Sequence, residues 1–249
     1  MPRGFPLQPQ AVDLPIWTEL LTDVEKTWLH ASPVYWGLGV PPGDGSAVLL
    51  IPGFLSSDDE MSELYTWLRR IGYRSSYSGI GYNGDCPNLL MVTLHHTLGH
   101  LFHETGTSVH VVAYSYGGLM AHVLASQSPD RIRSVITLGS PIRGIAAHPS
   151  LLFAAETMRI AIQRYHGPAV RSGCLTGACS CEFMECLRGD FPSSVRQTAI
   201  YSKYDGVVDW RFCRTGDPAI DHEVRSTHSG LKFHPYVYSA IARSLAPTP

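Results

Sequence analysis

The chain has 249 residues, of which 44% are hydrophobic and 16% charged, with a formal net charge of -2. That is enough apolar material for one large core in a single domain. There is no basic surface of the kind phosphate binding needs, so a nucleic-acid partner is excluded as the leading reading. No apolar run reaches the roughly 18 residues of a membrane span. The start, MPRGFPLQPQ, lacks the basic and apolar regions of a secretory leader. The sequence therefore points to a soluble protein, cytoplasmic as written, or secreted if a leader has been removed.

Residues 1–12 are proline-rich and read as a loosely held arm. Between 16 and 30, Ile16, Leu20, Leu21, Val24 and Trp28 recur at helical spacing, which predicts an amphipathic helix with its apolar face packed on the core. Ala47 to Ile51 (AVLLI) is a continuous apolar run after turn residues, as a strand buried on both faces requires. A helix is expected over Asp58–Ile71, closed by Gly72. It is followed by a weaker strand over Tyr73–Ser78, the glycine-rich loop GIGYNGDCPN, and a helix over Leu89–Glu104. Val109–Ala113 is a second buried strand, SYGGLMAHVLASQ a helix, and Val135–Leu138 another strand. Arg196–Tyr201 and Glu223–Arg225 are the last strand candidates, and a helix over Pro235–Leu245 ends the chain. Strands alternating with helices imply an α/β fold with a mostly parallel sheet and right-handed crossovers. Residues 141–195 are too long for an ordinary connection and read as a small cap or lid insertion, with one helix over Leu151–Arg164.

The chemistry is concentrated around VHVVAYSYGGLMAHVLA. A nucleophilic serine must be lifted out of the backbone, and a sharp strand-to-helix turn does this. The turn needs small residues two before and two after the serine, because those positions approach closely. Ser115 sits in that place, with Ala113 where glycine is usual and Gly117 after it. A tetrahedral intermediate needs fixed N–H donors for its oxyanion. One is expected from Tyr116, the residue after the nucleophile. The other is expected from Phe54, in LLIPGF, where Gly53 lets the chain turn. The acid should follow a later strand: QTAIYSKYDGVVDW offers Asp205, with Asp209 as the alternative. The base should lie near the C-terminus, and HEVRSTHSG offers His228. His222 and His234 flank it less favourably. The order Ser115, Asp205, His228 is the chain order of a hydrolase triad on an α/β sheet. Such a triad needs no metal or organic cofactor. Four histidines over 95–103 lack a nearby carboxylate set for a metal site.

At these segments the chain resembles the bacterial lipase and esterase branch of the α/β-hydrolases. The resemblance runs from about Asp44 to Leu245, through LLIPGF, GIGYNG, VVAYSYGG, SPDRIRSVITLGSPIRG, IYSKYDGVVDW and VRSTHSGL. It implies an α/β-hydrolase fold and a serine hydrolase acting on acyl esters. It carries over Ser115, Asp205 and His228 as the triad, with Phe54 and Tyr116 as oxyanion donors. Two departures are Ala113 at the first glycine position and Pro52 where a histidine is common.

Leu55, Tyr114, Ile142 and Ile145 are the expected pocket lining for a small-molecule or lipid ester, with transient contact to a lipid interface if the cap moves. An acyltransferase or thioesterase would use the same triad, and a non-catalytic binding protein on this scaffold is the alternative from another class. The cysteines Cys174, Cys179, Cys181 and Cys186 have the spacing C-x4-C-x-C-x4-C, which is not a usual zinc spacing. Disulfides stiffening the cap, with Cys213 tying it to the acid loop, compete with buried thiols and a structural metal site. Cys86 stands apart.

Overall fold

The computed structural model describes residues 8–167 and 181–247. Six strands form one sheet: β2 (Ala47–Ile51), β3 (Arg74–Tyr77), β4 (Val109–Tyr114), β5 (Ile132–Leu138), β7 (Arg196–Tyr201) and β8 (Asp221–Glu223). Their order is β3-β2-β4-β5-β7-β8, and every pair is parallel. β2 and β4 are buried along their whole length, as their uninterrupted apolar runs demand. Helices cover both faces. One core gathers β2, β4 and β5 with α3 (Pro87–Thr105), α4 (Gly117–Gln127) and α6 (Glu182–Arg188). The other packs the opposite face against α2 (Ser62–Arg70) and α7 (Pro235–Leu245), with Trp67 and Tyr238 in contact at its centre.

Most expected elements appear with shifted ends. The last strand spans Asp221–Glu223, so Arg225 lies beyond it in the loop leading to His228. The long insertion holds two helices rather than one. α5 (Pro149–His166) buries only Ile162. α6 buries Phe183, Met184 and Leu187 and belongs to the core beside α4. Cys174 and Cys179 lie outside the described residues. Cys186 and Cys213 are thiols, and Cys213 is buried, directed at the Asp209 carbonyl. For these two the disulfide reading gives way to the buried or half-buried thiol, and Cys213 does not tie the insertion to the acid loop. Burial also pushes the Cys213 thiol far up from its ordinary value. Among the described residues no helix is long and apolar enough to cross a membrane.

The N-terminal segment departs most from expectation. The described end of the arm is anchored: β1 (Gln10–Ala11) pairs in parallel with β6 (Ala146–Ala147). A 3-10 turn over Ile16–Leu21 then runs into α1 (Thr22–Ala31). The predicted apolar face does not pack on the core. Leu20 is 83% exposed, Val24 64% and Trp17 67%, and Leu21 and Trp28 are also exposed. The inward positions are Thr18, Glu19, Thr22, Glu25 and the fully buried Leu29. The helix is amphipathic in the reverse sense, because what it faces is a set of polar loops rather than the sheet.

Two stability predictions follow from this arrangement. Leu20→Ser should shift unfolding free energy by less than about 0.5 kcal/mol, whereas Leu29→Ala should cost about 2–5 kcal/mol; urea titration of both variants checks the pair. The second concerns pH. His110, buried in β4 with Ser134 2.6 Å from its Nδ1, and His234, at the start of α7, are each pushed down to about 4 by burial. The unfolded chain takes up these protons below about pH 6.5, whereas the folded chain refuses them until about pH 4. Stability should therefore be intact above pH 6.5 and fall by about 2 kcal/mol per histidine on reaching pH 5. Denaturant unfolding at pH 7 and pH 5 reads the loss, and His110→Gln should remove its share.

Candidate active site

β4 ends at Tyr114, and the chain turns into α4 through Ser115, whose φ is +51°. That left-handed backbone costs a non-glycine residue on the order of 1–3 kcal/mol and needs close packing to hold it. The packing is visible. A Cβ on Gly117 would fall 2.4 Å from the Pro52 carbonyl oxygen and 2.7 Å from that of Ile51, and one on Gly118 would fall 2.1 Å from Ser140 Oγ. Both glycines let α4 start directly against the ends of β2 and β5. The Ser115 N–H is held by the Leu138 carbonyl at 2.8 Å.

The loop after β7 carries Asp205, and the loop after β8 carries His228. Their side chains meet: His228 Nδ1 is 2.6 Å from Asp205 Oδ2, and His228 Nε2 is 2.9 Å from Ser115 Oγ. All three residues are buried. The other oxygen of Asp205 accepts from the Val207 and Val208 N–H groups at 2.9 and 2.7 Å, which fixes the carboxylate. With Nδ1–H donating to Asp205, Nε2 is left as the acceptor for the Ser115 hydroxyl. Asp209 is buried too, but it caps the turn Trp210–Phe212 and is bound bidentately by Arg211. Of the two candidate acids, only Asp205 reaches the imidazole. His222 lies in β8 and His234 caps α7 through the Tyr236 N–H; neither joins this cluster.

Ser115 opens into an apolar cavity lined by Phe54, Tyr116, Pro141, Ile145, Leu151 and Leu152, among others. Of the four lining residues expected from sequence, only Ile145 faces it. Ile142 belongs to the core, and Leu55 and Tyr114 do not border the cavity. Tyr114 is wedged behind the site, its ring 5.1 Å from that of His228. Burial raises its hydroxyl well above the ordinary tyrosine range, with the Glu60 charge adding to the effect. The far wall comes from α5.

Sequence reasoning missed the braces behind these loops. Glu60 accepts from the Gly53 N–H at 3.0 Å through one oxygen and binds the Lys232 ammonium through the other. This links the Pro52-Gly53-Phe54 turn to the segment following His228. The Lys232 ammonium also stands 4.3 Å over the Tyr114 ring. Burial lowers the lysine from its ordinary value, and the Glu60 carboxylate opposes that. Asn83, in the GIGYNG loop, donates to the Pro52 carbonyl at 2.9 Å, and its own carbonyl accepts from Leu55 N–H at 2.8 Å. The only signal in the sequence was proximity of each residue to a motif, since the partners are far apart along the chain. The four helical histidines are dispersed: His95 contacts Gln127 and His100 pairs with Glu104.

The parallel sheet order and a strand-turn-helix presenting a serine against a histidine and an aspartate define the α/β-hydrolase fold, and this chain has it. A family profile described as alpha/beta hydrolase fold matches residues 105–167, the stretch containing Ser115. Among solved structures, the chain is similar to the Bacillus subtilis carboxylesterase CesB, at 13% identity and TM-score 0.53, covering 94% of this chain and 100% of that one. It is similar to a Saccharomyces cerevisiae monoglyceride lipase variant, at 16% identity and TM-score 0.54, covering 83% and 89%. It is also similar to Aspergillus fumigatus lipase B, at 14% identity and TM-score 0.54, covering 83% of this chain and 54% of that chain, so it spans about half the length of that lipase. At these identities the likeness is one of fold. No curated protein matches by sequence.

Gly117→Ala tests the close approach behind Ser115. Its Cβ would meet two backbone carbonyls, which cannot swing aside as a side chain can. The variant should lose about 2 kcal/mol or more of stability, read as a lowered denaturant midpoint.

Proposed function

We propose that the protein is a serine hydrolase that cleaves carboxylic esters through an acyl-enzyme. The observation that carries this reading is the buried relay from Asp205 to His228 to Ser115, at 2.6 and 2.9 Å, with the serine facing an apolar cavity. His228 takes the hydroxyl proton as Ser115 Oγ attacks the ester carbonyl carbon. Asp205 keeps the imidazole in the required tautomer and stabilises its protonated form. The N–H groups of Phe54 and Tyr116 serve as donors to the oxyanion. The N–H groups on either side of Phe54 are already engaged, Gly53 with Glu60 and Leu55 with Asn83. The tetrahedral intermediate collapses as His228 returns the proton to the leaving alcohol. Water, deprotonated by the same imidazole, then attacks the acyl-enzyme and releases the acid and free Ser115.

The acyl group belongs in the cavity between Phe54, Ile145, Leu151 and Leu152, where no charged side chain among the described residues competes. Within the insertion, α5 acts as the cap in this reading, since its Leu151, Leu152 and Ala155 stand over the acyl group. The carboxylesterase and lipases that share the fold by their names support an ester as substrate. A thioester or an acyl acceptor other than water would use the same steps, and product analysis with added alcohol or thioester separates these reactions.

The test is a chain-length series of p-nitrophenyl esters with a fluorophosphonate label. Wild type should label at Ser115, and Ser115→Ala should neither label nor turn over while keeping its unfolding midpoint. Asp205→Asn should lower kcat by about 10³–10⁴, and Asp209→Asn should retain far more activity. Labelling elsewhere, or full turnover by Ser115→Ala, refutes the proposal.

A further inference from the structure

The N-terminal segment before α1 crosses the back of both loops that carry the acid and the base. It starts on the cavity wall, where Gln10 N–H donates to the Ile145 carbonyl at 2.8 Å and Val12 N–H to that of Ala147 at 3.0 Å. It then passes over Gly206, where any Cβ would fall 2.7 Å from the Pro15 carbonyl oxygen and 2.8 Å from Thr18 Oγ1. Next, Glu19 reaches inward. One of its oxygens accepts from the His228 N–H at 2.8 Å and from the Gly206 N–H at 3.3 Å; the other accepts from the Ser229 N–H at 2.8 Å. Nearly two turns later, within α1, Glu25 accepts from the Thr227 N–H at 3.1 Å and the Thr227 hydroxyl at 2.6 Å. A Cβ on Gly230 would fall 1.8 Å from that carboxylate, which its bonds to Thr227 hold in place.

We propose that Glu19 is a positioning residue for the base: its carboxylate fixes the backbone of His228 and Ser229 against the acid loop at Gly206, and so sets the imidazole between Asp205 and Ser115. This rests on the ester-hydrolase reading above. The physical argument is a matter of donors. Neither loop continues the sheet at these positions, so their N–H groups need acceptors from elsewhere. A carboxylate binding three of them is charge-assisted and rigid. Gly206 matches the segment's path and Gly230 the start of α1 that follows it, since a side chain at the first would collide with Pro15 and Thr18 and one at the second with Glu25. The segment is therefore fitted to the two loops rather than merely lying on them. It touches neither Ser115 nor the acyl cavity through Glu19, so its loss should alter the rate of the chemical step and not the binding of substrate.

The experiment measures kcat and KM for a p-nitrophenyl ester, per Ser115 site titrated with a fluorophosphonate, in wild type, Glu19→Ala, Glu19→Gln and Leu20→Ser. A misplacement of about 1 Å costs on the order of 100-fold. Glu19→Ala should accordingly lower kcat per site by about 10- to 100-fold with KM within about twofold. Glu19→Gln should recover part of the loss, because its amide oxygen still accepts while its NH2 opposes a donor. Leu20→Ser, on the exposed face of the same turn, should behave as wild type. A fold defect alone would reduce the number of titratable sites and leave kcat per site unchanged, and that result overturns the proposal, as does a change confined to KM. If Glu19→Ala does not fold, Glu19→Gln decides alone: kcat per site lowered supports the proposal and kcat per site unchanged overturns it. A wild type that labels at Ser115 with indifferent Glu19 variants overturns this inference only. A wild type that fails to label overturns the ester-hydrolase reading and this inference together.

Discussion

When a strand ends and its chain becomes a loop, each backbone N–H loses the sheet partner it had. Inside a protein it must find another acceptor or cost about 1–3 kcal/mol. The side chains that meet at Ser115 stand on such loops, so the geometry there depends on how those donors are satisfied. The recurring answer is an inward carboxylate. Asp205 binds the Val207 and Val208 N–H groups, Asp209 the Arg211 N–H, and Glu60 the Gly53 N–H. Asp58 binds the Ser78 and Gly79 N–H groups, and Glu19 and Glu25 bind the loop around His228. A modestly acidic chain has turned many of its acids toward its own backbone.

The sheet supplies the other half of the constraint. Ser115, Asp205 and His228 all follow the carboxyl ends of parallel strands, the edge where ligands of open α/β sheets bind. β4, β5 and β7 are adjacent in the sheet, and β8 lies beyond β7. Strand spacing then brings residues 23 and 113 positions apart in sequence within hydrogen-bond reach. Glu60 and Lys232 add a cross-link between the turn at Gly53 and the segment after His228, so the two sides of the serine are not independent.

The inverted N-terminal helix belongs to the same account. An amphipathic pattern reports that one face differs from the other; it does not report which face is inside. Here the neighbours of the helix are loops whose N–H donors the sheet does not satisfy. Polar Thr18, Glu19, Thr22 and Glu25 therefore gain more from facing inward than the surrounding leucines and tryptophans. The apolar side is left exposed.

Much of the fold was legible because its signals are local. AVLLI and VHVVA read as buried strands from their continuous apolar runs, and the strand at Arg196–Tyr201 and the helix at Pro235–Leu245 were recoverable to the residue. Ser115 was legible for a steric reason: a strand-turn-helix with small residues around a serine has few other uses. Chain order then pointed to Asp205 and His228. What the sequence could not decide was anything set by contacts between distant segments. The sequence favoured Asp205 and kept Asp209 as the alternative, and only the packing of the loop turned the first toward the imidazole and gave the second to Arg211. Tyr114 reads as pocket lining beside the serine, yet alternation along the strand sends it behind the site. The partners of Glu19, Glu60 and Lys232 lie between 7 and 210 positions away, where no periodicity reaches. Local backbone preference and burial patterns are written residue by residue; which donor meets which acceptor is settled only when the sheet has brought the loops together.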